Sequence, residues 1–403
     1  MLKHNQDNGK ETSNCALQNV SKITICEEEF RTIPVLKPLN SVSSGSIREI
    51  PDLLHYFMGF FGILQTSRDS KQKIKLIVLI SLAFLILADQ FRTSLQIILR
   101  DSSLIEINLA YTVCLFLPIP SWFELRFKRT HLMKAIQELE NISSNTHKSK
   151  INYLVIILCS MPFIYSISTI IVSKSNHYLL IISFEFEPKN QWLQNLVLFL
   201  RCFFYFLYYP ILSDFIALLY CTLCLRCCNA IEQLTLDVIQ CAPENFGTST
   251  QIKILTQRDK FDNILSGIQN SFSCSSFFII LANILSCGSI LGSLLKGRLD
   301  EIQSSTLISW TFYTTNSFGS LTAILWIAGG VPLALDRLKK EYFKKAHQKM
   351  LIAPIPEEPK LEKWLFDSPD FILTGCNIFS YRRNSLLAVI GTVLTYTFLV
   401  INK

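Results

Sequence analysis

Charged residues are scarce in this chain. Only 17% of its 403 residues are Asp, Glu, Lys or Arg, whereas 50% are hydrophobic and the mean hydropathy is +0.33. Soluble domains typically carry about 25% charged residues. The hydrophobic residues also come in long blocks, several of them without any charge. A soluble protein rarely buries an uncharged helix of roughly 18 residues, so the composition predicts a protein that crosses a membrane several times.

The sequence also lacks the motifs of the common enzyme classes. It contains no GxxxxGK[ST] or GxGxxG loop, no HExxH motif and no nucleophile elbow, and its six His residues are scattered. We therefore expect no enzymatic activity, no cofactor and no metal site. The net charge of +7 comes from loops beside the hydrophobic blocks, which favours membrane anchoring over nucleic-acid binding. The acidic-Arg-aromatic triplet and the NPxxY motif of rhodopsin-like receptors are missing too.

Cysteines are missing from the segments that we predict to lie outside the cell, 100–103, 173–191 and 296–306. An extracellular disulfide is therefore not expected. Four of the 13 cysteines form a cluster, Cys221, Cys224, Cys227 and Cys228. They could bind a soft metal, carry palmitate, or serve as small residues on a helix. The last interpretation is favoured, because no second CxxC or His pair lies nearby.

Seven hydrophobic runs predict an all-α, seven-transmembrane helical membrane protein. The runs are 76–99, 104–123, 151–172, 193–220, 272–295, 307–335 and 385–402. Residues 1–52 are polar, without the pattern of a signal peptide, and are predicted to be disordered. Segment 53–64 is apolar but too short to span, so we expect an interfacial helix there.

The positive charges predict the orientation. Thirty of the 38 Lys and Arg residues lie in 1–75, 126–150, 226–260 and 337–383. The positive-inside rule places these segments, and the N-terminus, in the cytoplasm and the C-terminus outside. This topology is inverted relative to G-protein-coupled receptors. It divides the chain into a cytoplasmic N-terminus (1–52), spans one to six (53–336), a cytoplasmic segment (337–384) and a seventh span (385–403).

The C-terminal 33 residues resemble the end of insect gustatory receptors, a family of the insect chemoreceptor superfamily. That family ends in a small-residue stretch, a basic corner, a leucine pair and TYhhhhhQ, where h is hydrophobic. The matching residues here are Thr374, Gly375, Phe379, Arg382, Arg383, Ser385, Leu386, Leu387, Gly391, Thr395 and Tyr396, with Asn402 at the glutamine position. Elsewhere the chain matches the family only in length, number of spans and inverted topology.

The resemblance implies a tetrameric ligand-gated cation channel of the plasma membrane, gated by a small molecule of tastant type. In this family the seventh helix lines the pore, and helices on the inner side form an anchor domain that holds the homo- or heterotetramer together. Segment 337–381 suits that role, with Trp364 and Phe371 as candidate assembly residues, although an ordinary loop is the alternative.

Four residues of the last helix are candidates for the pore: Thr395, Tyr396, Leu399 and Asn402. Hydroxyl and small side chains there tolerate water and close packing. In a symmetric ring, Leu399 would form a dewetting constriction and Asn402 a polar mouth. The alternative is that these residues only pack against other helices.

The resemblance also implies a ligand pocket in the outer half of spans two to six. Seven residues there could form hydrogen bonds and are candidates for it: Tyr111, Tyr165, Thr169, Arg201, Tyr205, Tyr313 and Asn316. Arg201 stands out, because a cation within the membrane is costly and usually faces a cavity, a partner or the interface. It could also extend to the interface, with the tyrosines forming an aromatic belt. Asp89 and Arg92 are three residues apart and form a candidate ion pair, whereas Asp214 has no evident partner.

The sequence leaves three functions open. A ligand-gated cation channel is favoured. A non-conducting seven-span receptor or co-receptor that signals through partners is the main alternative, and a transporter is the third.

Overall fold

The computed structural model describes residues 51–64, 70–100, 105–142, 148–172, 190–296, 304–352 and 371–401. These residues are almost entirely helical, so the all-α class is confirmed. The helices are α1 (Asp52–Phe60), α2 (Ser70–Arg100), α3 (Ile105–Phe116), α4 (Pro118–Phe127), α5 (Arg129–Glu140), α6 (Lys148–Val172), α7 (Gln191–Phe206), α8 (Leu212–Gln240), α9 (Thr248–Lys296), α10 (Ser304–Ala328), α11 (Gly330–Ile352) and α12 (Arg383–Ile401). Of the segment 1–52 that the sequence predicts to be disordered, residues 1–50 lie outside this description, whereas Asp52 begins α1.

Among the described residues, five stretches have the length and hydropathy to cross a membrane: Ile77–Gln96, Ser149–Val172, Gln191–Gln240, Thr248–Leu295 and Ser304–Ile352. The chain is therefore a multi-span membrane protein, as predicted. The remaining two predicted spans correspond to α3–α4 and to the 19-residue α12, which is about 28 Å long at 1.5 Å per residue.

Three predicted spans are interrupted. Span two breaks at Leu117. A new helix begins there at Pro118, which has no amide proton to donate to the preceding turn. Span four breaks at the π-helical turn Leu207–Ile211, which contains Pro210 and turns Tyr209 to an extended backbone (φ −142°, ψ 125°). Span six breaks at Gly329, where a Cβ would lie 2.8 Å from the Arg383 amide nitrogen. Continuous hydrophobicity did not reveal these breaks.

The predicted inner loops contain much regular structure. Residues 126–150 include α5, which buries Leu132, Ala135, Ile136 and Leu139 on one face. This spacing is that of an amphipathic helix, so the segment packs against the bundle rather than forming a simple loop. In the same way α8 and α9 occupy most of 226–260, and α11 continues span six to Ile352.

Helix α9 forms the centre of the bundle. It packs against α3, α4, α5, α8, α10 and α12. Two reciprocal hydrogen bonds join it to α4: the Ser275 hydroxyl donates to the Ser121 carbonyl at 2.9 Å, and the Ser121 hydroxyl donates to the Ser275 carbonyl at 3.3 Å. Small hydroxyl residues allow such close helix contacts in an apolar environment.

Helix α1 forms where the sequence predicts an interfacial helix. Its Leu54 and Met58 are buried, and Phe57 stacks on Phe215 of α8 with ring centroids 5.2 Å apart. The Trp122 indole donates to the Phe61 carbonyl at 2.8 Å. These contacts fix the short helix against the bundle.

A short hairpin before α12 docks against α9. Strand β1 (Thr374–Gly375) pairs antiparallel with β2 (Phe379–Ser380). The Gln269 side chain donates to the Thr374 carbonyl at 2.8 Å and accepts from its amide at 3.0 Å. The Ser273 hydroxyl donates to the same carbonyl at 3.1 Å. The backbone of the hairpin is thus hydrogen-bonded to side chains of the central helix.

Tyr381 completes this contact. The residue is fully buried, and its hydroxyl lies 2.7 Å from the Ser276 hydroxyl of α9. Burial raises the pKa of Tyr381, so the phenol keeps its proton for this hydrogen bond. A Cβ at Gly375 would overlap the Tyr381 hydroxyl and approach Phe277. The space at position 375 therefore accommodates only glycine.

We predict that Gly375→Ala displaces Tyr381 and lowers the free energy of unfolding by about 1–3 kcal/mol, the usual cost of overpacking. The measurement is thermal unfolding of the purified protein in detergent. Gly319→Ala is the matched control, because a Cβ there meets nothing within 4 Å and alanine favours a helix. Equal melting temperatures for the two variants would contradict the proposed role of Gly375.

Candidate functional site

An aromatic cluster lies where α3, α6, α7 and α10 meet. Tyr165 stacks on Phe206 with ring centroids 4.7 Å apart and meets Tyr313 edge-on at 5.9 Å. The rings of Tyr111 and Tyr313 meet edge-on with centroids 6.2 Å apart, and the Tyr209 ring stacks on Tyr313 with centroids 6.1 Å apart. The cluster consists of Tyr111, Tyr165, Phe206, Tyr209, Phe312 and Tyr313. Each such pair typically contributes about 0.5–1.5 kcal/mol beyond the burial of its surface.

Several hydroxyl groups of the cluster have partners on neighbouring helices. The Tyr165 hydroxyl lies 3.1 Å from the Ser309 hydroxyl of α10. The Tyr209 hydroxyl donates to the Ala282 carbonyl at 3.2 Å and lies 3.4 Å from the Ser317 hydroxyl. The cluster therefore combines apolar ring faces with fixed polar edges, which is the usual composition of a small-molecule site.

Three of the predicted pocket residues, Tyr111, Tyr165 and Tyr313, belong to this cluster. Thr169 lies one turn further along α6, but its hydroxyl donates to the Tyr165 carbonyl at 2.9 Å. Sequence reasoning missed Phe206, Tyr209 and Phe312 as individual members. The aromatic run 203–209 was a visible signal for the first two.

Arg201 and Tyr205 belong to a charged network with α2 instead. The Arg201 guanidinium lies 2.8 Å from a carboxylate oxygen of Asp89, and the Tyr205 hydroxyl donates to the same oxygen at 2.7 Å. Arg201 also donates to the Thr93 hydroxyl at 3.2 Å. The predicted pair of Asp89 with Arg92 exists too, but at 3.7 Å. The main partner of Arg201 is thus an acidic residue 112 positions away in the sequence.

Two buried amides lie on α9 and α10, the helices that contribute to the cluster or bond to it. Among the residues that the structure describes, Asn283 Nδ2 and Asn316 Nδ2 are buried without a hydrogen-bond partner. The buried Ser286 hydroxyl faces Tyr209, and the Ser320 hydroxyl faces the buried carboxylate of Asp214, in both cases outside the geometry of a full hydrogen bond. Buried polar groups without partners are costly, so the two amide nitrogens are available to a polar group of a ligand or to water.

An apolar cavity of about 140 Å³ lies elsewhere, between α2, α4 and the start of α8. Its lining includes Leu79, Ala83, Phe84, Trp122 and Tyr208. It offers hydrocarbon surface with almost no polar contact, and Phe84 beside it is exposed. The cavity therefore suits lipid tails better than a ligand that must be recognised by hydrogen bonds.

The last helix presents two different faces. Val389 is buried against the bundle, and Leu386 and Val393 pack beside it. The opposite stripe contains Ala388, Gly391, Thr392, Thr395 and Leu399, all exposed. The Thr392 and Thr395 hydroxyls donate to carbonyls of their own helix, each at 2.8 Å. This stripe faces away from the rest of the chain and has mostly small side chains.

Some predicted residues lie outside the description. Trp364 and Asn402 are among them, as is the side chain of Tyr396. Phe371 is half-buried and packs against the core of its own chain. Its role in assembly remains a prediction.

The cysteine cluster of α8 is part of the core. Cys221, Cys224 and Cys227 are buried, and only Cys228 is partly accessible. Within the described part of the chain, no group of three or more His, Cys, Asp or Glu side chains could hold a metal ion. The burial favours the interpretation of these cysteines as small packing residues.

We predict that Arg201→Leu destabilises the protein by about 3–5 kcal/mol, because Asp89 loses its closest cation in a buried setting. The double variant Asp89→Asn, Arg201→Leu should recover part of this loss. Thermal unfolding in detergent measures both. Lys134→Leu is the control, since its 3.8 Å pair with Glu138 is exposed and contributes at most about 1 kcal/mol. An Arg201→Leu variant as stable as this control would refute the network's structural role.

Comparison with known proteins identifies a fold. No family model matches the sequence. No curated protein matches it either. The structure is similar to that of the insect olfactory receptor OR5 from Machilis hrabei, with a TM-score of 0.55 and 13% identity over 86% of this chain and 96% of that chain. The same receptor in complex with eugenol gives a TM-score of 0.57 and 12% identity, over 88% and 97% of the two chains. The chain therefore has the fold of an insect olfactory receptor.

Proposed function

We propose that this chain is a chemosensory receptor subunit that acts as a ligand-gated, non-selective cation channel in the plasma membrane. The observation that carries the proposal is the exposed stripe of α12, defined by Ala388, Gly391, Thr392, Thr395 and Leu399. The olfactory-receptor fold and the gustatory-type sequence motif support it independently of each other.

The composition of the stripe favours a pore over a lipid contact. A helix surface in contact with lipid alone has no need of hydroxyl groups, and large aliphatic side chains fill such a surface better. Here the large residues Leu387, Leu394 and Phe398 lie on a neighbouring stripe of the same helix. The threonine hydroxyls donate to their own backbone, so the helix can insert while each hydroxyl oxygen still offers a lone pair to water.

One such helix cannot enclose a pore, so the proposal requires several copies. We propose a tetramer, homomeric or formed with related subunits, in which four α12 helices meet on an axis. Segment 337–381 is the proposed inner anchor, and the N-terminus lies in the cytoplasm. In this arrangement Leu399 forms the narrowest apolar ring, and its dewetting closes the channel.

The proposed ligand site is the aromatic cluster, with the unpaired amide of Asn316 nearby as a polar contact. The olfactory receptor of the same fold was solved with eugenol, a small molecule. For this chain we propose a small ligand of tastant type with an apolar or aromatic body and a few polar atoms. Tyr313 is central, because it contacts Tyr111, Tyr165 and Tyr209 at once.

The position of Tyr209 offers a route from the ligand to the rest of the bundle. This residue stacks on Tyr313 and also bonds to the Ala282 carbonyl of α9. Helix α9 in turn holds the hairpin that precedes α12. A ligand that moves Tyr209 therefore acts on the same helix that positions the proposed pore.

We predict that Leu399→Ser gives a ligand-independent current at least severalfold above wild type, because a hydroxyl in the ring lets water enter. Leu394→Ser is the matched control, since Leu394 is exposed on the neighbouring stripe and should leave basal current unchanged. Whole-cell recording at equal surface expression measures both. If Leu399→Ser reaches the surface and conducts like wild type, α12 does not line the pore.

We predict that Tyr313→Phe shifts the ligand concentration for half-maximal response only modestly, whereas Tyr313→Leu raises it about tenfold or more through lost ring contacts. Single-channel conductance should stay unchanged, because the cluster lies away from α12. Phe318→Leu, on the same helix but exposed and outside the cluster, is the control. A cell that binds the ligand without any current would favour a non-conducting receptor instead.

A further inference from the structure

Two free cysteines meet where the hairpin docks against the central helix. Cys376 lies in the turn between β1 and β2, and its amide donates to the Ser273 carbonyl at 3.1 Å. Cys274 is the next residue of α9. The Cys274 thiol interacts with the Cys376 thiol and also with the Glu124 carboxylate. Neither cysteine is joined to another in the structure, and both are partly accessible.

The backbone brings the two residues within reach of a disulfide. This hydrogen bond joins the Cys376 amide to the carbonyl of Ser273, the residue directly before Cys274. Standard bond lengths therefore keep the Cα atoms of Cys274 and Cys376 within roughly 7 Å of each other. Disulfides usually span Cα distances of about 4.4–6.8 Å. The Gln269 and Tyr381 contacts fix the hairpin on both sides of the turn. Little movement is therefore needed to join the sulfurs.

We propose that Cys274 and Cys376 form a reversible disulfide that serves as a redox modification site of this protein. Hydrogen peroxide oxidises the Cys376 thiol to a sulfenic acid with release of one water. The Cys274 sulfur then attacks the sulfenic sulfur, forms the S–S bond and releases a second water. Two electrons pass from the two thiols to the peroxide. A cytoplasmic thiol such as glutathione reverses the reaction by exchange.

The expected consequence is a covalent link between α9 and the segment that leads into α12. In the reduced protein this connection consists of hydrogen bonds and packing, which a moving α12 can break. The disulfide would hold α12 in the position that the structure describes. An effect on current rests on the proposed channel function, whereas formation of the bond does not.

The first test is chemical. The full-length protein in membranes is treated with hydrogen peroxide, free thiols are blocked, and digested peptides are analysed by mass spectrometry with and without a reductant. We expect a peptide pair linked through Cys274 and Cys376, lost on reduction. Fragment ions must exclude Cys287, which lies on the same tryptic peptide as Cys274. Cys241, a partly exposed cysteine elsewhere, reports how far oxidation has proceeded.

Cys376→Ser and Cys274→Ser should each abolish the linked pair, and Cys241→Ser should keep it. Failure of the wild type to form the pair while Cys241 is oxidised would overturn the proposal, as would linkage of Cys376 to Cys287.

The second test compares the ligand-evoked current before and after peroxide treatment. We expect peroxide to decrease the wild-type current and a reductant to restore it, whereas the current of Cys376→Ser should not change. An unchanged wild-type current despite quantitative linkage would overturn the locking effect. A linked pair in a protein that never conducts would instead count against the channel function.

Discussion

The contact between the 374–380 hairpin and α9 is the constraint on which the position of the last helix depends. Gln269 holds the backbone of Thr374, and the Tyr381 hydroxyl meets Ser276 in a fully buried setting. Because an unpaired polar group is costly there, each hydrogen bond favours one docking geometry over any shifted one. Gly375 permits that geometry by lacking a Cβ. The start of α12 follows within three residues of β2, so the direction of the proposed pore helix is set by the hairpin.

The same requirement for polar pairing explains the charged network of α2 and α7. An arginine in a membrane interior needs an acceptor, and Arg201 finds Asp89 at 2.8 Å, with Tyr205 on the same carboxylate. The network gives Arg201 a structural role, and the proposed ligand site is the aromatic cluster instead. Asp214 differs from Asp89, since its buried carboxylate faces the Ser320 hydroxyl and makes no ion pair among the described residues. The two acidic residues show that burial alone does not indicate how a charge is compensated.

Much of the fold could be predicted from hydrophobic blocks, because a membrane-spanning helix needs about 20 apolar residues and the sequence must supply them locally. The aromatic run 203–209 and the tyrosines of spans two, three and six were also visible. The interruptions at Leu117 and Gly329 were not predicted, because the hydrophobicity continues across them and a proline alone does not decide: Pro118 begins a new helix, whereas Pro162 lies inside an unbroken one. The helix α5 was missed because the charge count assigned its segment to a loop, although its apolar residues have helical spacing.

The sequence by itself determined that the chain is helical and enters a membrane repeatedly, and a local motif singled out residues 374–396, although not as a hairpin followed by a helix. These properties depend on residues close together in the chain. Only the tertiary structure decided the partners: Asp89 for Arg201, Tyr209 for Tyr313, and Cys274 for Cys376. Such pairs join residues on separate helices, and helix packing sets the distances between them. No local pattern encodes a contact whose geometry depends on how several helices pack together.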